Sequence, residues 1–305
     1  MRLISFRAPE GNRIGARVDG DVVDLTAAYG ALLADRGEAD PARAEKAVPP
    51  DMEAFLAGGD AAMAAASAAI EFAAGREDLR TTADEVALLP PVPRPPKIVC
   101  VARNYGEHAA EANLPTLEHP NLFIRFPRSL IPAGAPIQVP QVSEQVDWEA
   151  ELAVIIGNPG KHVPKERALD HVAGYSAFND VSIRDWQLRV KQFGAGKNFD
   201  GSGPFGPELV TRDEIPDPGA LKIELEVNGE TMQSSSTAEM IFDVPSLIEH
   251  ISQFATLEPG DVIATGTPAG VGHFRDPPVY LKPGDTVRVV IEKIGALENP
   301  VEAEA

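Results

Sequence analysis

The run Asp147-Trp148-Glu149-Ala150-Glu151-Leu152-Ala153-Val154-Ile155-Ile156 is acidic at its start and wholly apolar at its end. On an extended strand, residues two apart share a side, so Glu149 and Glu151 point together while Leu152 and Val154 begin packing on the other face. Similar short apolar runs recur at Ile98–Val101, Val262–Ala264 and Val287–Ile291, each bounded by Gly, Pro, Asn or Asp. They predict strands of a compact, β-rich domain of mixed α+β class. Helices are predicted at Thr26–Asp35, Met52–Ala74, Tyr105–Asn113, Ile183–Val190 and Pro245–Gln253. Ahead of them, Met1–Arg7 reads as a first strand, and Arg13–Val18 with Val22–Leu25 as a hairpin around Asp19-Gly20-Asp21.

Working outward, residues 1–89 form a small N-terminal unit without any catalytic pattern, and Pro90–Pro96 holds five prolines, a stiff connector. The catalytic unit then spans 97–300, and 301–305 is an acidic tail expected to fray. The chain has 305 residues, 44% of them hydrophobic, enough for a substantial core. Its formal net charge of -19 works against nucleic acid and anionic membranes as partners. The single cysteine, Cys100, excludes an intrachain disulfide and a cysteine zinc site. No secretory signal follows Met1, and Ala61–Ile70 is too short and too weakly apolar to span a bilayer, so a cytoplasmic location is expected.

Four constellations carry chemistry. Two like charges held as close as Glu149 and Glu151 need a positive neighbour, and a hard divalent cation suits oxygen ligands. Asp180, after another apolar run, offers a third carboxylate. The competing reading is an edge strand showing Asp147, Glu149 and Glu151 to solvent. His108 and Glu111, three apart, share a helix face, where Glu111 can hold the imidazole in one tautomer for general-base work, or the two form a mere surface pair. His119, His162, His171, His250 and His273 lack such partners and default to structural or surface roles. Gly194-Ala195-Gly196-Lys197 delivers one ammonium among glycines, without the spacing of a Walker loop, or is a surface loop. Gly260–Gly272 runs from a strand into a turn that sets a hydroxyl beside exposed backbone, either for binding a substrate carboxylate or as mere turn chemistry.

Taken in order, these segments resemble the fumarylacetoacetate hydrolase family, in particular its acylpyruvate hydrolase and 2-hydroxyhepta-2,4-diene-1,7-dioate isomerase-like members. The resemblance spans roughly 97–300: Cys100-Val101 to Asn104-Tyr105 and His108; Asp147-x-Glu149-x-Glu151-Leu152; Gly174-Tyr175 through Asn179-Asp180 to Arg184 and Gln187; Gly196-Lys197-Asn198-x-Asp200; Val227-Asn228-Gly229-Glu230; and Gly260-Asp261 to Gly266-Thr267-Pro268. It implies a β-roll catalytic domain with a small N-terminal domain, a homodimer, and a Mg²⁺ site with Mn²⁺ as the alternative. By the same resemblance the metal ligands are Glu149, Glu151 and Asp180, the catalytic residues His108, Glu111 and Lys197, and the substrate contacts Arg184, Gln187 and Thr267.

The implied activity is metal-dependent hydrolysis of a carbon-carbon bond in a β-diketone acid, acylpyruvate or fumarylacetoacetate-like, giving a keto acid and a carboxylic acid. One alternative is an isomerase or decarboxylase of hydroxymuconate-type or oxaloacetate-type dioic acids in aromatic catabolism. A noncatalytic, ligand-binding dimeric scaffold is the other. In each enzymatic case the partner is a small anionic keto acid entering a locally positive pocket. Three departures from the family pattern are expected to touch specificity more than the metal centre. Ala102-Arg103 stands where Gly-Leu is frequent, Arg125 stands where lysine is frequent, and the tryptophan common just before Gly-x-Gly-Lys is missing near Gln192-Phe193.

Overall fold

The computed structural model describes residues 1–111 and 117–304, apart from the side chain of Ala109. Its centre is the strand Ala150–Ile156, buried along its whole length. It lies between Val172–Asn179 and Val262–Ala264, antiparallel to both, inside a twelve-stranded sheet. A strand with neighbours on both sides cannot be an edge, which removes the solvent-face reading of Glu149 and Glu151.

The alternation expected of this strand divides two cores. Leu152, Val154 and Ile156 join Ile223, Leu225, Val287, Val289 and Ile291 of a separate five-stranded sheet, together with Leu247, Ile248 and Ile251 of the helix Val244–Phe254. Ala153 and Ile155 instead meet Phe55, Leu56, Ala62, Ala66 and Ala69 of the N-terminal helices. The large sheet is therefore a middle layer, covered on one face by the smaller sheet and on the other by helices.

The N-terminal unit is continuous with this body. Arg2–Ala8 pairs through Arg2 and Leu3 with Val210 and Leu209, extending the large sheet. Leu3, Phe55 and Val262 share one apolar cluster. The proline connector is packed down rather than spanning a gap: Pro90, Pro91 and Val92 are buried, and the Ser5 hydroxyl donates to the Pro91 carbonyl at 2.8 Å. The division at residues 90–96 is thus not a division of the core.

Local chemistry explains where the elements begin and break. Asp19 and Gly20, both at positive φ, form the two-residue turn between Gly11–Val18 and Asp21–Asp24. Asp24 caps Leu25–Asp35 through the Ala27 N–H, and Asp243 caps Val244–Phe254 through Ser246. The expected helix Met52–Ala74 is two, Met52–Ala57 and Gly59–Ala73, because Gly59 takes a φ of 55° that interrupts α geometry. Pro41–Ala47 is a helix the sequence reading did not foresee, started by Asp40 and Pro41. Ile183–Val190 contributes only the turn Arg184–Gln187. Of Tyr105–Asn113, Gly106–Glu111 is helical, and Ala112 and Asn113 lie outside the described residues. The expected frayed tail is corrected: Val301–Ala303 end the strand Gly295–Ala303 and pair in parallel with Ile137–Val139, because the Val301 side chain is buried in the core. Among the described residues no helix is long and apolar enough to cross a membrane.

One carboxyl near the connector gives a pH-dependent term. Glu53 accepts from the Arg94 N–H at 3.0 Å, and burial, reinforced by a hydrogen bond with Asp51, raises its pKa from 4.5 to about 7. The unfolded chain releases this proton near the ordinary value while the folded chain holds it longer. Stability therefore falls as pH rises from about 4.5 to 7 and stays lower above that. Glu53→Gln is neutral throughout and is expected to gain about 2 °C in Tm at pH 8, after allowance for solvent screening, and markedly less at pH 5. Calorimetry at the two pH values checks this, and equal gains at both would contradict it.

Candidate active site

Three carboxylates meet because the ladder brings them together. Ala150 pairs with Asn179 and Glu151 with Phe178, while the Asp180 N–H donates to the Glu149 carbonyl at 2.9 Å and the Glu149 N–H to Asn179 Oδ1 at 3.0 Å. One oxygen each of Glu149, Glu151 and Asp180 lies within 4.8 Å of the others, and all three residues are buried.

Cations surround this cluster unevenly. Lys197 Nζ donates to Glu149 Oε2 at 2.7 Å, to Asp180 Oδ2 at 2.5 Å and to the Asp180 carbonyl at 3.2 Å. Its placement depends on Gly196, where a Cβ would come within 2.4 Å of the Gln187 backbone nitrogen. Arg184 bridges Asp147 Oδ2, at 2.7 Å from Nε, and Glu149 Oε1, at 2.8 Å from Nη1, and also donates to Gln187 Oε1 at 2.9 Å. Arg125 pairs with Asp180 Oδ1 and donates to the Ser202 carbonyl at 2.6 Å. This corrects the expectation for Arg125: it touches the carboxylate cluster itself, because its longer fork reaches Asp180 and Ser202 together.

Glu151 is the exception. It accepts the Gly266 N–H at 2.9 Å, and no cation pairs with it among the described residues. Burial, then the neighbouring Asp180 and Glu149, push its pKa well up. Glu149 is held well below the carboxylate range, since Lys197 and Arg184 outweigh the upward push of burial. Burial disfavours the charge on Lys197, but Asp180 and Glu149 overcome it and raise the pKa. Four buried carboxylates, counting Asp147, thus face the three buried cations Arg125, Arg184 and Lys197. This oxygen donor set, with one acid lacking a positive partner, fits a hard divalent cation.

Across the same cavity, of about 360 Å³, stands His108. Its Nδ1 lies 3.3 Å from Glu111 Oε2, and Glu111 accepts the Gly270 N–H at 3.1 and 3.3 Å. Gly270 sits at a φ of 103°, with the Met232 carbonyl 2.2 Å from where a Cβ would be, so the turn holding Glu111 requires glycine. The expected substrate residues Arg184, Gln187 and Thr267 also line the cavity. Thr267 Oγ1 accepts from Gln233 Nε2 at 2.9 Å, which leaves its own O–H to donate. All nine candidate residues therefore lie in or directly against one cavity.

The sequence reading missed several contributors. His273 is corrected from a structural or surface role: it lines the cavity with Nδ1 2.9 Å from the Tyr280 hydroxyl, and burial, then Arg184, lower its pKa. Only the fold brings it there, since its backbone N–H is held by Asp147 at 3.0 Å. Gln233 anchors both the Ala150 N–H and Thr267, with no local signal to reveal it. Asp147 was visible as part of the acidic alternation, but not as the partner of Arg184. A larger, shallower groove of about 870 Å³ shares Phe123, Lys191 and Phe193 with the cavity mouth and carries no histidine or carboxylate.

A profile described as fumarylacetoacetate (FAA) hydrolase C-terminal matches residues 97–302. The chain belongs to the fumarylacetoacetate hydrolase family. It is 44% identical over 307 aligned residues to a Homo sapiens protein named oxaloacetate tautomerase FAHD2A, mitochondrial, covering 99% of this chain and 91% of that one. It is 41% identical to oxaloacetate tautomerase YisK of Bacillus subtilis (strain 168), covering 89% of this chain and 95% of that one. Among solved structures it is similar to a maleylpyruvate hydrolase from Sphingobium sp. SYK-6 in complex with manganese (II) ion and pyruvate, at 32% identity and TM-score 0.77 with 100% of both chains covered. A putative HpcE protein from Mycobacterium smegmatis has 36% identity and TM-score 0.82, also at 100% coverage of both. The chain is an enzyme-family member with a β-rich α+β fold, as its sequence implies.

Proposed function

We propose that this chain is a divalent-metal-dependent tautomerase that interconverts the enol and keto forms of an oxaloacetate-type 2-oxo dicarboxylic acid. The observation that carries this reading is a single cavity in which the Glu111-backed His108 stands across from the carboxylate triad. Relatives named oxaloacetate tautomerase, 42–44% identical over 99% of the chain, support it.

Enol and keto forms differ by one proton, bound to the C2 oxygen in the enol and to C3 in the keto acid. In this proposal His108 gives a proton to C3 while the enol O–H releases its own to solvent water, which returns a proton to His108, and Glu111, fixed by the Gly270 N–H, keeps the ring oriented. Thr267 offers its free O–H to a substrate carboxylate. Lys197, with all three hydrogens engaged, contributes fixed positive charge rather than a transferable proton. Glu149, Glu151 and Asp180 would hold the cation, Mg²⁺ or Mn²⁺, which supplies Lewis acidity toward the 2-oxo acid end of the substrate.

Hydrolysis of an acylpyruvate-type bond is the second reading, favoured by the maleylpyruvate hydrolase neighbour and by a dyad equally able to deprotonate water. Product analysis separates the two. Incubation of the Mg²⁺-loaded protein with oxaloacetate and with a panel of acylpyruvates is expected to speed loss of enol absorbance in the first and to release no carboxylic acid from the second. Carboxylic acid release without enol conversion would replace the first reading by the second. A homodimer and a cytoplasmic site belong to the same proposal. Exposed Leu188 on the cavity wall and exposed Ile124 and Phe126 in the adjoining groove support the homodimer, and light scattering tests it.

A further inference from the structure

Arg103 stands out on the cavity wall. Arg184 and Lys197, the other basic side chains deep in the cavity, spend their hydrogens on Asp147, Glu149 and Asp180. Arg103 makes no ion pair or side-chain hydrogen bond with any described residue, and its Nε is buried and unpartnered. Its backbone has a φ of 59°, the left-handed region that a side chain with Cβ adopts at a cost.

That strained backbone is held firmly. The neighbouring Asn104 donates from Nδ2 to the Phe242 and Thr265 carbonyls at 3.0 and 2.8 Å, and accepts from the Phe242 N–H at 2.8 Å. A half-buried guanidinium with a buried, unpartnered Nε on a strained residue adds nothing to the fold through these contacts, and strain of this kind clusters where a ligand is clamped. Its five donors match the fork of a carboxylate.

We propose that Arg103 receives the distal carboxylate of the substrate, and so makes the cavity selective for dicarboxylic over monocarboxylic 2-oxo acids. This rests on the tautomerase reading: with the 2-oxo acid end directed to the triad, the second carboxylate of the diacid is the group that still needs a cation. Lys191 also reaches the mouth, but it is exposed and carries a well-hydrated charge.

The test uses ligands that cannot tautomerise. Calorimetry on the Mg²⁺-loaded protein compares malate, a four-carbon 2-hydroxy diacid, with lactate, which lacks the distal carboxylate. Malate is expected to bind the unaltered protein more tightly than lactate. Arg103→Leu should weaken malate about 10- to 100-fold, the range of a charge-assisted pair, and leave lactate within about twofold. Arg103→Lys should restore part of the difference. Retained lactate binding shows that the variant site is intact. The inference is overturned if malate is unaffected, if both ligands weaken together, or if the unaltered protein does not distinguish them. Because these readings need no turnover, failure of oxaloacetate tautomerisation with Arg103-dependent malate binding intact would sink the functional reading alone.

Discussion

His108→Ala is expected to lower kcat for enol-to-keto conversion about 100- to 10,000-fold, the range contributed by a positioned acid–base group. Metal affinity should be unchanged, since the imidazole bonds to Glu111 and to none of the three triad carboxylates. Glu111→Gln should cost less, about 10-fold, because its side-chain oxygen still accepts the Gly270 N–H while the charge that orients the imidazole is lost. Ultraviolet absorbance of the enol gives the rates, and calorimetric titration with Mg²⁺ or Mn²⁺ gives the affinities. A His108→Ala variant with unaltered kcat would remove the dyad from the reaction.

Arg125→Met has the largest expected effect on stability. Arg125 is 1% exposed, pairs with Asp180, and donates to the Ser202 carbonyl and hydroxyl oxygens at 2.6 and 2.7 Å. Removing it leaves Asp180 Oδ1 unpaired and Lys197 as the one cation on that buried carboxylate, a loss of about 3 kcal/mol in unfolding free energy for the protein without metal. Added Mg²⁺ should shrink the deficit, because a dication at the triad replaces the missing positive charge beside Asp180. Arg125→Lys should cost less than Arg125→Met, since it keeps the charge and loses the fork. Urea titrations with and without Mg²⁺ measure this. A deficit under about 1 kcal/mol, or one that Mg²⁺ does not reduce, would show that Arg125 does not hold Asp180 in place.

What was legible in the sequence follows from the range of the interactions. The strand Ala150–Ile156 and the paired Glu149 and Glu151 are written in a period of two, and His108 with Glu111 in a spacing of three, so both could be read locally. Asp180, Lys197 and Thr267 joined them through an ordered set of motifs, and the fold sets all three at one cavity. His273 and Gln233 were not legible. His273 reaches the cavity because Asp147, 126 positions earlier, holds its backbone, and Gln233 is tied to Ala150 across 83 positions. Arg125 looked like a change of charge carrier at the margin, since nothing nearby in sequence shows that it reaches Asp180, 55 positions on. The acidic tail misled for a similar reason: burial of Val301 against a distant strand outweighs its terminal position.

The proposed tautomerisation of an oxaloacetate-type acid needs both a dication on Glu149, Glu151 and Asp180 and a proton carried by His108. Its most direct test is the rate of enol absorbance loss from oxaloacetate with protein stripped of metal, then restored with Mg²⁺ or Mn²⁺, alongside the Glu149→Ala/Glu151→Ala variant. The expected result is acceleration over buffer that vanishes on chelation, returns with the metal and is absent from the double variant at every metal concentration. Full activity in that variant, or in the stripped protein, would contradict it.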